Sequence, residues 1–427
     1  MKLKYLADTL AGGTPAVENP LYWTDSPEGI AWISIGDMSD RGQVEATGRR
    51  VTMQGIEAAR LPVLGAGTLL LSMYASLGHT ALTTEWSTWN QAILGIVPRS
   101  GSSPQFLKYA LESIRPRISE FARSNTQSNL NAEQVRNLTL PRPSSEEQRR
   151  IADFLDAETS RIDRLVELRR RQIESLAERS RAITSEVLVP GILSESRGRW
   201  PWPWLPDLPD DRPLVRLGYV CRIQNGLTVD GKRQASADWV TRPYLRVANV
   251  QAGYVDLGSI TEIAVSRDVA ARTALRQGDV LMTEGGDLDK LGRGTVWHGE
   301  IDGCLHQNHV FALRPERGRL DGEFLALMTQ TLHGRCYFES TGVKTTNLAS
   351  TNSSKILGFP IPLPCIEKQR VLAAQVANAQ LMIGNAVRVL ERQHALLSER
   401  RQAIITAAVT GQFDVATASG RNTIQGV

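Results

Sequence analysis

The sequence predicts an α+β protein in which two mixed α/β domains repeat one another and each is followed by a long helix. Two observations predict this class. A segment that starts at Pro141 (PRPSSEEQRRIA) returns at Pro362 as PLPCIEKQRVLA. Behind both copies, apolar residues recur at spacings built from threes and fours, which is the period of a helix that packs along one stripe. We expect a pseudo-twofold repeat whose two helices form an antiparallel coiled coil.

The length and composition agree with this organisation. A chain of 427 residues exceeds one ordinary hydrophobic core, and 41% hydrophobic with 22% charged residues is typical of folded globular domains. The predicted segments are a first domain at 1–143, a first long helix at 144–190, a linker rich in proline and tryptophan at 191–211, a second domain at 212–363, a second long helix at 364–410 and a disordered tail at 411–427.

The first long helix has a clear start signal and a clear stripe. Ser144 is placed as the N-cap, and Glu147 follows three residues later, as in a capping box. The stripe of the first helix comprises Leu155, Ile162, Val166, Ile173, Leu176, Ile183 and Val187, and that of the second comprises Val376, Ile383, Val387, Leu390, Leu397, Ile404 and Ala408. At 1.5 Å per residue each helix would be about 60 Å long.

A weaker similarity precedes each helix. The segment from Gly67 to Ser72 resembles that from Gly278 to Thr283, an apolar strand entered from a glycine turn. Phe106-Leu107 likewise matches Phe324-Leu325 at the start of a helical stretch. The order of elements is therefore the same in both halves, while most side chains differ.

Charge, cysteine usage and apolar runs restrict the class of protein. The net charge of +4 is compatible with DNA binding through local basic faces but does not require it. The four cysteines form no CxxC pair, so neither a zinc ribbon nor a disulfide framework is indicated. The start MKLKYLADTLAGG lacks the apolar run of a signal peptide, and the segment from Val63 to Leu77 is too short to span a bilayer. We expect a soluble, cytoplasmic protein.

Short motifs that carry chemistry are incomplete. Asn19-Pro20-Leu21-Tyr22 resembles the NPPY loop of adenine methyltransferases but lacks the second proline, and no glycine-rich loop for S-adenosylmethionine follows a strand. Cys304, His306 and His309 are spaced for a metal but lack an evident fourth ligand. The glycine-rich stretch from Gly285 to Gly294 has no Walker pattern, and we interpret it as a flexible loop that lets backbone approach DNA. We predict no catalytic residue and no metal site, hence not an enzyme.

The repeated segment resembles a known family. The pattern PxPxxExQR at the start of each helix, with LxERxxAI near its end at Leu176–Ile183 and Leu397–Ile404, is similar to the Type I restriction-modification specificity subunits. The resemblance covers about residues 1 to 410. It implies two target-recognition domains that read the unlike halves of a bipartite, asymmetric site in double-stranded DNA, about one helical turn (~34 Å) apart. It further implies that the helices set the spacer and dock two methyltransferase (M) subunits.

The same resemblance implies that restriction (R) subunits join the assembly, and that S-adenosylmethionine, ATP and Mg belong to the partner subunits. No cofactor is expected in this chain. Two alternatives stay open at this point: the recognition region of a self-contained adenine methyltransferase, and a coiled-coil scaffold without DNA affinity. A cofactor bound by the chain itself would favour the first, and the absence of salt-dependent DNA binding would favour the second.

Candidate site residues follow from their chemistry, since Arg and Lys contact phosphates while Arg, Asn, Gln, Ser and Thr read bases. The DNA-binding candidates are Tyr74, Ser76, His79, Arg123, Asn125, Gln127, Asn129, Lys290, Arg293, Lys344, Thr345 and Asn347. The partner-binding candidates, repeated polar residues at the helix starts, are Glu146, Gln148, Arg149, Glu367, Gln369 and Arg370. Polar loops that only cap the next turn are an equally good interpretation for the first set, and helix capping competes for the two glutamates.

Overall fold

The computed structural model of the chain divides into two units. Unit 1 comprises Met1–Arg171 and Glu391–Val427, and unit 2 comprises Gln172–Leu390. The structure describes residues 1–38, 42–44, 46–118, 129–193, 214–228, 238–251, 253–286, 291–344 and 349–415. Most of the predicted linker (194–211) and the tail from 416 lie outside the described residues.

Nine helices occur in the described part of the chain. They are α1 (Met53–Ala59), α2 (Pro104–Ile114), α3 (Ala132–Arg136), α4 (Ser145–Leu188), α5 (Arg267–Thr273), α6 (Gly322–Gln330), α7 (Leu332–Thr341), α8 (Ser353–Leu357) and α9 (Ile366–Thr410). Short 3-10 helices lie at Leu3–Tyr5, Pro20–Tyr22, Ile35–Asp37, Arg115–Arg117, Leu217–Tyr219 and Val247–Asn249. None of these described helices combines the length and apolarity needed to cross a lipid bilayer.

The described part of unit 1 contains two sheets. Its strands are β1 (Ala7–Ala11), β2 (Trp23–Thr24), β3 (Ile30–Ile33), β4 (Gln43–Val44), β5 (Arg49–Val51), β6 (Leu69–Ser72), β7 (Thr80–Thr83), β8 (Ser87–Trp89) and β9 (Ile93–Pro98). The sheets have the orders β1-β9-β6-β7-β4 and β2-β5-β3-β8. Strand β6 is buried on both faces: Leu69 and Leu71 pack in the cluster that contains Phe106 of α2, while Leu70 packs with Trp89. A continuous apolar run is what a strand with two covered faces requires.

Unit 2 repeats this plan with more, shorter sheets. Its strands are β10 (Leu214–Arg216), β11 (Cys221–Asn225), β12 (Trp239–Leu245), β13 (Thr261–Ser266), β14 (Val280–Thr283), β15 (Gly285–Gly286), β16 (Gly294–Val296), β17 (Leu305–His306), β18 (Val310–Pro315), β19 (Val343–Lys344), β20 (Ala349–Ser350) and β21 (Pro360–Pro362). The sheet orders are β11-β18-β14-β16, β13-β12-β17, β15-β20-β19 and β10-β21.

The predicted repeat is confirmed at the level of elements. The order β11-β18-β14-β16 in unit 2 corresponds to β1-β9-β6-β7 in unit 1, and the antiparallel pairing is the same in both. Helices α2 and α6 follow the matched strands β9 and β18. Asn131 caps α3 through its side chain, and Asn352 caps α8 in the same way. The two units therefore share the same order of elements and the same type of helix cap, although most of their side chains differ.

The two long helices contribute segments to each unit, and within each unit these segments run antiparallel. In unit 1, Leu155 of α4 packs with Val409 of α9, and the Nε of Arg401 donates to Asp163 at 2.9 Å. In unit 2, Leu188 packs with Val376. Four residues earlier in α4 and four residues later in α9, the side chain of Gln380 donates to the hydroxyl of Thr184 at 3.2 Å. The predicted fold class, including the antiparallel pairing, is confirmed.

The predicted start of the first long helix is confirmed as well. The side chain of Glu147 accepts hydrogen bonds from the backbone nitrogen and the hydroxyl of Ser144, at 2.9 and 2.8 Å. The backbone nitrogen of Glu147 in turn donates to the Ser144 hydroxyl. These bonds hold the pKa of Glu147 below its ordinary value because they favour the carboxylate.

A buried histidine in unit 2 is expected to make stability depend on pH. His333 in α7 is fully buried, its Nε2 donates to the carbonyl of Pro360 at 2.6 Å, and its ring packs on Phe359. Burial lowers the pKa of His333 to about 4. Because the folded state resists a proton that the unfolded chain accepts near pH 6.5, stability should be retained above that pH and fall progressively towards pH 4, by up to about 3 kcal/mol from this group.

The measurement is urea unfolding of the wild type and of His333→Gln at pH 7 and pH 4.5. Glutamine keeps an N–H donor for the Pro360 carbonyl but has no proton to gain. We expect the wild type to lose more stability than the variant on acidification. An equal loss in both proteins would show that His333 does not carry the pH dependence.

Candidate nucleic-acid interface

Loops from distant parts of unit 1 meet at one end of its larger sheet. The backbone nitrogen of Met73 donates to Ala92, and that of Leu130 donates to Met73, both at 2.9 Å. On the other side Thr14 donates from its hydroxyl to Gln91 at 2.6 Å. We call the surface made by residues 12–19, 73–79, 90–92 and 129–131 the loop face of unit 1. It lies beyond the end of β6 and the start of β9, because these strands are antiparallel neighbours.

Hydrogen bonds to Ser72 fix the base of the loop that follows β6, and the tip of the loop is exposed. The hydroxyl of Ser72 donates to the carbonyl of Ala75 at 2.8 Å, and Gly78 donates to the carbonyl of Ser72. The tip residues Tyr74 and Ser76 are exposed, and Ser76 has a left-handed backbone with φ of 58°. Non-glycine residues in this region are uncommon and cluster at functional loops. The geometry thus presents a phenol and a hydroxyl on a fixed turn.

Unit 2 repeats the same backbone contacts with other side chains. Glu284 donates from its backbone to His309, and Thr351 donates to Glu284, both at 2.8 Å. Leu227 donates to His306 as Gly13 donates to Trp89 in unit 1. We call residues 226–228, 284–286, 291–293, 307–309 and 349–352 the loop face of unit 2. Two segments singled out from sequence meet here, since β15 of the glycine-rich stretch pairs with β20, which pairs with β19.

The structure places the DNA-binding candidates unevenly. Tyr74, Ser76 and Asn129 lie on the loop face of unit 1. His79 is buried beneath the tip and so is not presented to a ligand. Arg293 is partly buried and engaged within the chain, and Lys344 lies in β19. The remaining candidates lie outside the described residues: Arg123, Asn125, Gln127, Lys290, Thr345 and Asn347.

Sequence reasoning missed two polar pairs on the loop faces. One is Thr14 with Gln91 in unit 1. The other is His309 with Glu284 in unit 2, where Nδ1 of the imidazole and a carboxylate oxygen are 2.5 Å apart. Each pair joins loops far apart in the chain, so no local spacing signals it. The one signal in the sequence was the repeat itself, because Gln91 and His309 occupy matched turns before β9 and β18.

The interpretation of the glycine-rich stretch as a flexible DNA-approaching loop needs correction at Gly292. A Cβ there would lie 2.1 Å from the ring of Phe338, which is fully buried. Gly292 also has φ of 77°. This glycine therefore serves close packing inside unit 2 and a left-handed turn, not backbone exposure.

The incomplete motifs have structural roles. Asn19 accepts a hydrogen bond from the backbone of Leu21 and so caps the 3-10 helix Pro20–Tyr22. Cys304 and His306 are buried in unit 2, whereas His309 points to Glu284. Within the described ranges no group of His, Cys, Asp and Glu is arranged to hold a metal ion.

The two glutamines predicted to bind a partner are internal clamps in this structure. Gln148 accepts from the nitrogen of Ser103 and donates to the carbonyls of Gly101 and Pro143. Gln369 makes the matching set, with bonds of 2.8 to 2.9 Å. Both side chains are buried, and their amide groups join each long-helix start to the residues that precede α2 and α6. A partner cannot reach them without breaking these bonds.

The other partner-binding candidates remain accessible. Glu146, Arg149, Glu367 and Arg370 are exposed at the helix starts. Among the residues that the structure describes, Arg149 has a loose contact of 3.8 Å with Asp153, and Arg370 has one of 3.6 Å with Asp321. Exposed pairs of this length contribute little to stability. Their role as partner contacts stays a prediction.

Comparisons with known proteins all point to the same family. Residues 11–176 match the family model described as the Type I restriction modification DNA specificity domain. The Type I restriction enzyme MjaIX specificity subunit of Methanocaldococcus jannaschii is 26% identical over 179 residues, which are 41% of this chain and 40% of that protein. The EcoKI specificity subunit of Escherichia coli is 23% identical over 322 residues, 74% of this chain and 66% of that one. The matched region thus spans about two fifths of the archaeal relative.

A solved structure extends the comparison to the fold of the whole chain. A chain from a study of complex assembly and conformational transition of the type I R-M system has a TM-score of 0.68 at 19% identity, covering 97% of both chains. At this identity the likeness concerns the fold. The relatives are named as specificity subunits, in agreement with the prediction that the chain is not an enzyme.

Proposed function

We propose that the chain, which is similar to the Type I restriction-modification specificity subunits, is the DNA-reading subunit of such a complex. In this proposal each loop face reads one half of a bipartite, asymmetric site in double-stranded DNA, and the long helices set the spacer between the halves. The observation that carries it is the repetition of the same backbone contacts at both loop faces with different side chains. A common frame with unlike contact groups suits two unlike half-sites.

We propose further that two methyltransferase subunits bind the repeated helix starts and that restriction subunits join them. S-adenosylmethionine, ATP and Mg would then be held by those partners, in the cytoplasm. Support comes from the exposed residues that occur at both helix starts: Glu146 and Arg149 in the first copy, Glu367 and Arg370 in the second. Two equivalent surfaces on one chain favour two copies of one partner.

The first test is binding of the full chain, purified with a methyltransferase subunit from the same organism, to duplex DNA at several salt concentrations. We expect affinity to fall steeply and linearly on a log–log plot, because phosphate contacts release counterions. Affinity that is absent or independent of salt would favour a scaffold. S-adenosylmethionine bound by the chain alone would favour a self-contained methyltransferase.

A substitution on one loop face should affect one half-site. Tyr74→Ala removes an exposed phenol from the tip of the loop face of unit 1, and we expect it to weaken discrimination at one half-site by about 1–3 kcal/mol while the other half is read normally. The measurement is competition binding with DNA carrying single base changes in either half, after the target has been mapped by methylation sequencing.

The matched control is Tyr5→Ala. Tyr5 is another exposed tyrosine of unit 1, but it lies before β1, at the sheet end opposite the loop face. It should leave base discrimination unchanged. Equal effects of the two variants, or an effect of Tyr74→Ala on both half-sites, would contradict the assignment of this loop face to one half-site.

A further inference from the structure

Unit 2 contains an arginine-lined cavity of about 520 Å³ at the start of α9, which we call the arginine cavity. Four arginines line it, Arg276, Arg314, Arg317 and Arg370, together with Asp279 and Asp321. The walls are the turn before β14, the turn after β18 and the first residues of α6 and α9. Positive side chains therefore outnumber negative ones in a recess built from four separate segments.

The floor of the arginine cavity is a fixed ion pair. Asp279 is buried and accepts two hydrogen bonds from Arg314, from Nε at 2.8 Å and from Nη2 at 2.7 Å. A third bond reaches Asp279 from the backbone nitrogen of Arg276. These bonds raise the pKa of Arg314. Because Asp279 accepts from both Nε and Nη2 and balances the charge of Arg314, this arginine mainly shapes the cavity.

The rim, in contrast, carries unused donors. Arg276 and Arg317 are exposed, and among the residues that the structure describes neither guanidinium has a hydrogen-bond or ion-pair partner. Within the described ranges, Arg370 has only its loose contact with Asp321. A guanidinium binds a carboxylate through two parallel hydrogen bonds, so three such groups around one recess match a cluster of carboxylates.

The position of the cavity argues against DNA as its occupant. It lies where β14 begins and β18 ends, whereas the loop face of unit 2 lies where β14 ends and β18 begins. The two surfaces are thus at opposite ends of the same strands. The cavity instead adjoins the start of α9, where Glu367 and Arg370 are exposed.

The cavity is also specific to unit 2. The residues matched to Arg276, Arg314 and Arg317 are Gly65, Val97 and Ser100 in unit 1, and only Arg370 has a counterpart, Arg149. A surface used identically in both halves would carry the charges twice. The occupant therefore makes this contact once per chain.

We propose that the arginine cavity binds an acidic segment of the methyltransferase subunit that docks on unit 2. The inference rests on the proposed function, and it adds that the two docked methyltransferase subunits are held differently. The one on unit 2 has a carboxylate contact that its counterpart on unit 1 lacks.

The test uses the complex of the full chain with a methyltransferase subunit from the same organism. The variant Arg276→Glu with Arg317→Glu reverses the two free charges and should weaken binding of one methyltransferase copy about tenfold or more. Mass photometry across a dilution series would then show a one-to-one complex where the wild type keeps two copies. Arg276→Lys with Arg317→Lys retains the charge but not the paired donors, and it should weaken binding less than the charge reversal does.

The control is Arg267→Glu with Arg272→Glu, which makes the same change in net charge on the exposed face of α5. It should leave the stoichiometry unchanged. Loss of the second copy in both double mutants, or in neither, would overturn the proposal. So would a loss of DNA affinity confined to the Arg276 and Arg317 variant, which would identify phosphate as the occupant. If the proposed function itself failed, the wild type would bind neither methyltransferase nor DNA.

Discussion

Replacing Gly292 with alanine is expected to lower the free energy of unfolding by about 4 kcal/mol or more, because the new methyl group has no space. Its Cβ would lie 2.1 Å from Cγ of the Phe338 ring, with two more ring atoms within 2.6 Å. The ring cannot move aside, since it packs against Tyr337 and Phe359 with centroids 5.2 and 5.1 Å away. The left-handed backbone of Gly292 adds strain for any side chain.

Urea unfolding of the full chain measures this effect, and Gly299→Ala is the matched control. Gly299 also has a left-handed backbone, with φ of 86°, but a Cβ there would meet nothing nearer than 3.7 Å. It should cost only about 1 kcal/mol, from backbone strain alone. Similar losses in the two variants would show that Phe338 yields and that close packing is not what selects glycine at position 292.

The consequence for function is local. Gly292 precedes Arg293 and β16 and lies on the loop face of unit 2, so its packing fixes the path of the chain there. A variant that is folded but strained at this position should read the half-site of unit 2 less sharply. The loop face of unit 1 belongs to a separate unit and should keep its discrimination.

The helices and the repeat were predictable because their signals are local. A capping box needs residues three apart, such as Ser144 and Glu147, and a helical stripe needs a period that any short window displays. Leu155 and Val376 lie at matched places in two such stripes, and both are buried. Helix bounds therefore followed closely from sequence, as did the class of fold.

The interface residues were harder to predict because their placement depends on non-local pairing. The bond from Leu130 to Met73 joins segments that are separated in the chain by the strands β7, β8 and β9 and the helix α2. Burial is decided by the same pairing: His79 lies near Tyr74 in sequence, yet one is covered and the other exposed. A polar loop sequence carries no period that distinguishes these outcomes.

The repeated glutamine shows the same difficulty in another form. Its recurrence among the polar residues at both helix starts predicted a partner contact. The structure shows an internal role for this glutamine. Its amide offers both a donor and an acceptor and can therefore bond two segments of backbone at once. A recurring polar residue thus signals a shared constraint without saying whether the constraint is internal.

Gln369→Ala distinguishes an internal clamp from a direct partner contact. Three hydrogen bonds disappear, leaving the nitrogen of Asp321 and the carbonyls of Arg319 and Pro364 without this partner in a buried region. At about 1 kcal/mol for each bond, we expect stability to fall by about 3 kcal/mol or more. Lys368→Ala, an exposed neighbour on the same helix turn, should change stability by less than about 0.5 kcal/mol.

Hydrogen exchange locates the loss. In Gln369→Ala the backbone amide of Asp321 should exchange faster, whereas Gln148→Ala should do the same for Ser103 in unit 1. Binding of the methyltransferase subunit to unit 2 should weaken together with stability, because Asp321 caps α6 and contacts Arg370. If Gln369→Ala instead lost the methyltransferase subunit at unchanged stability and exchange, the glutamine would be a partner contact and the clamp would be secondary. Comparing the loss of stability with the loss of methyltransferase binding therefore decides whether the repeated glutamine serves the fold or the partner contact.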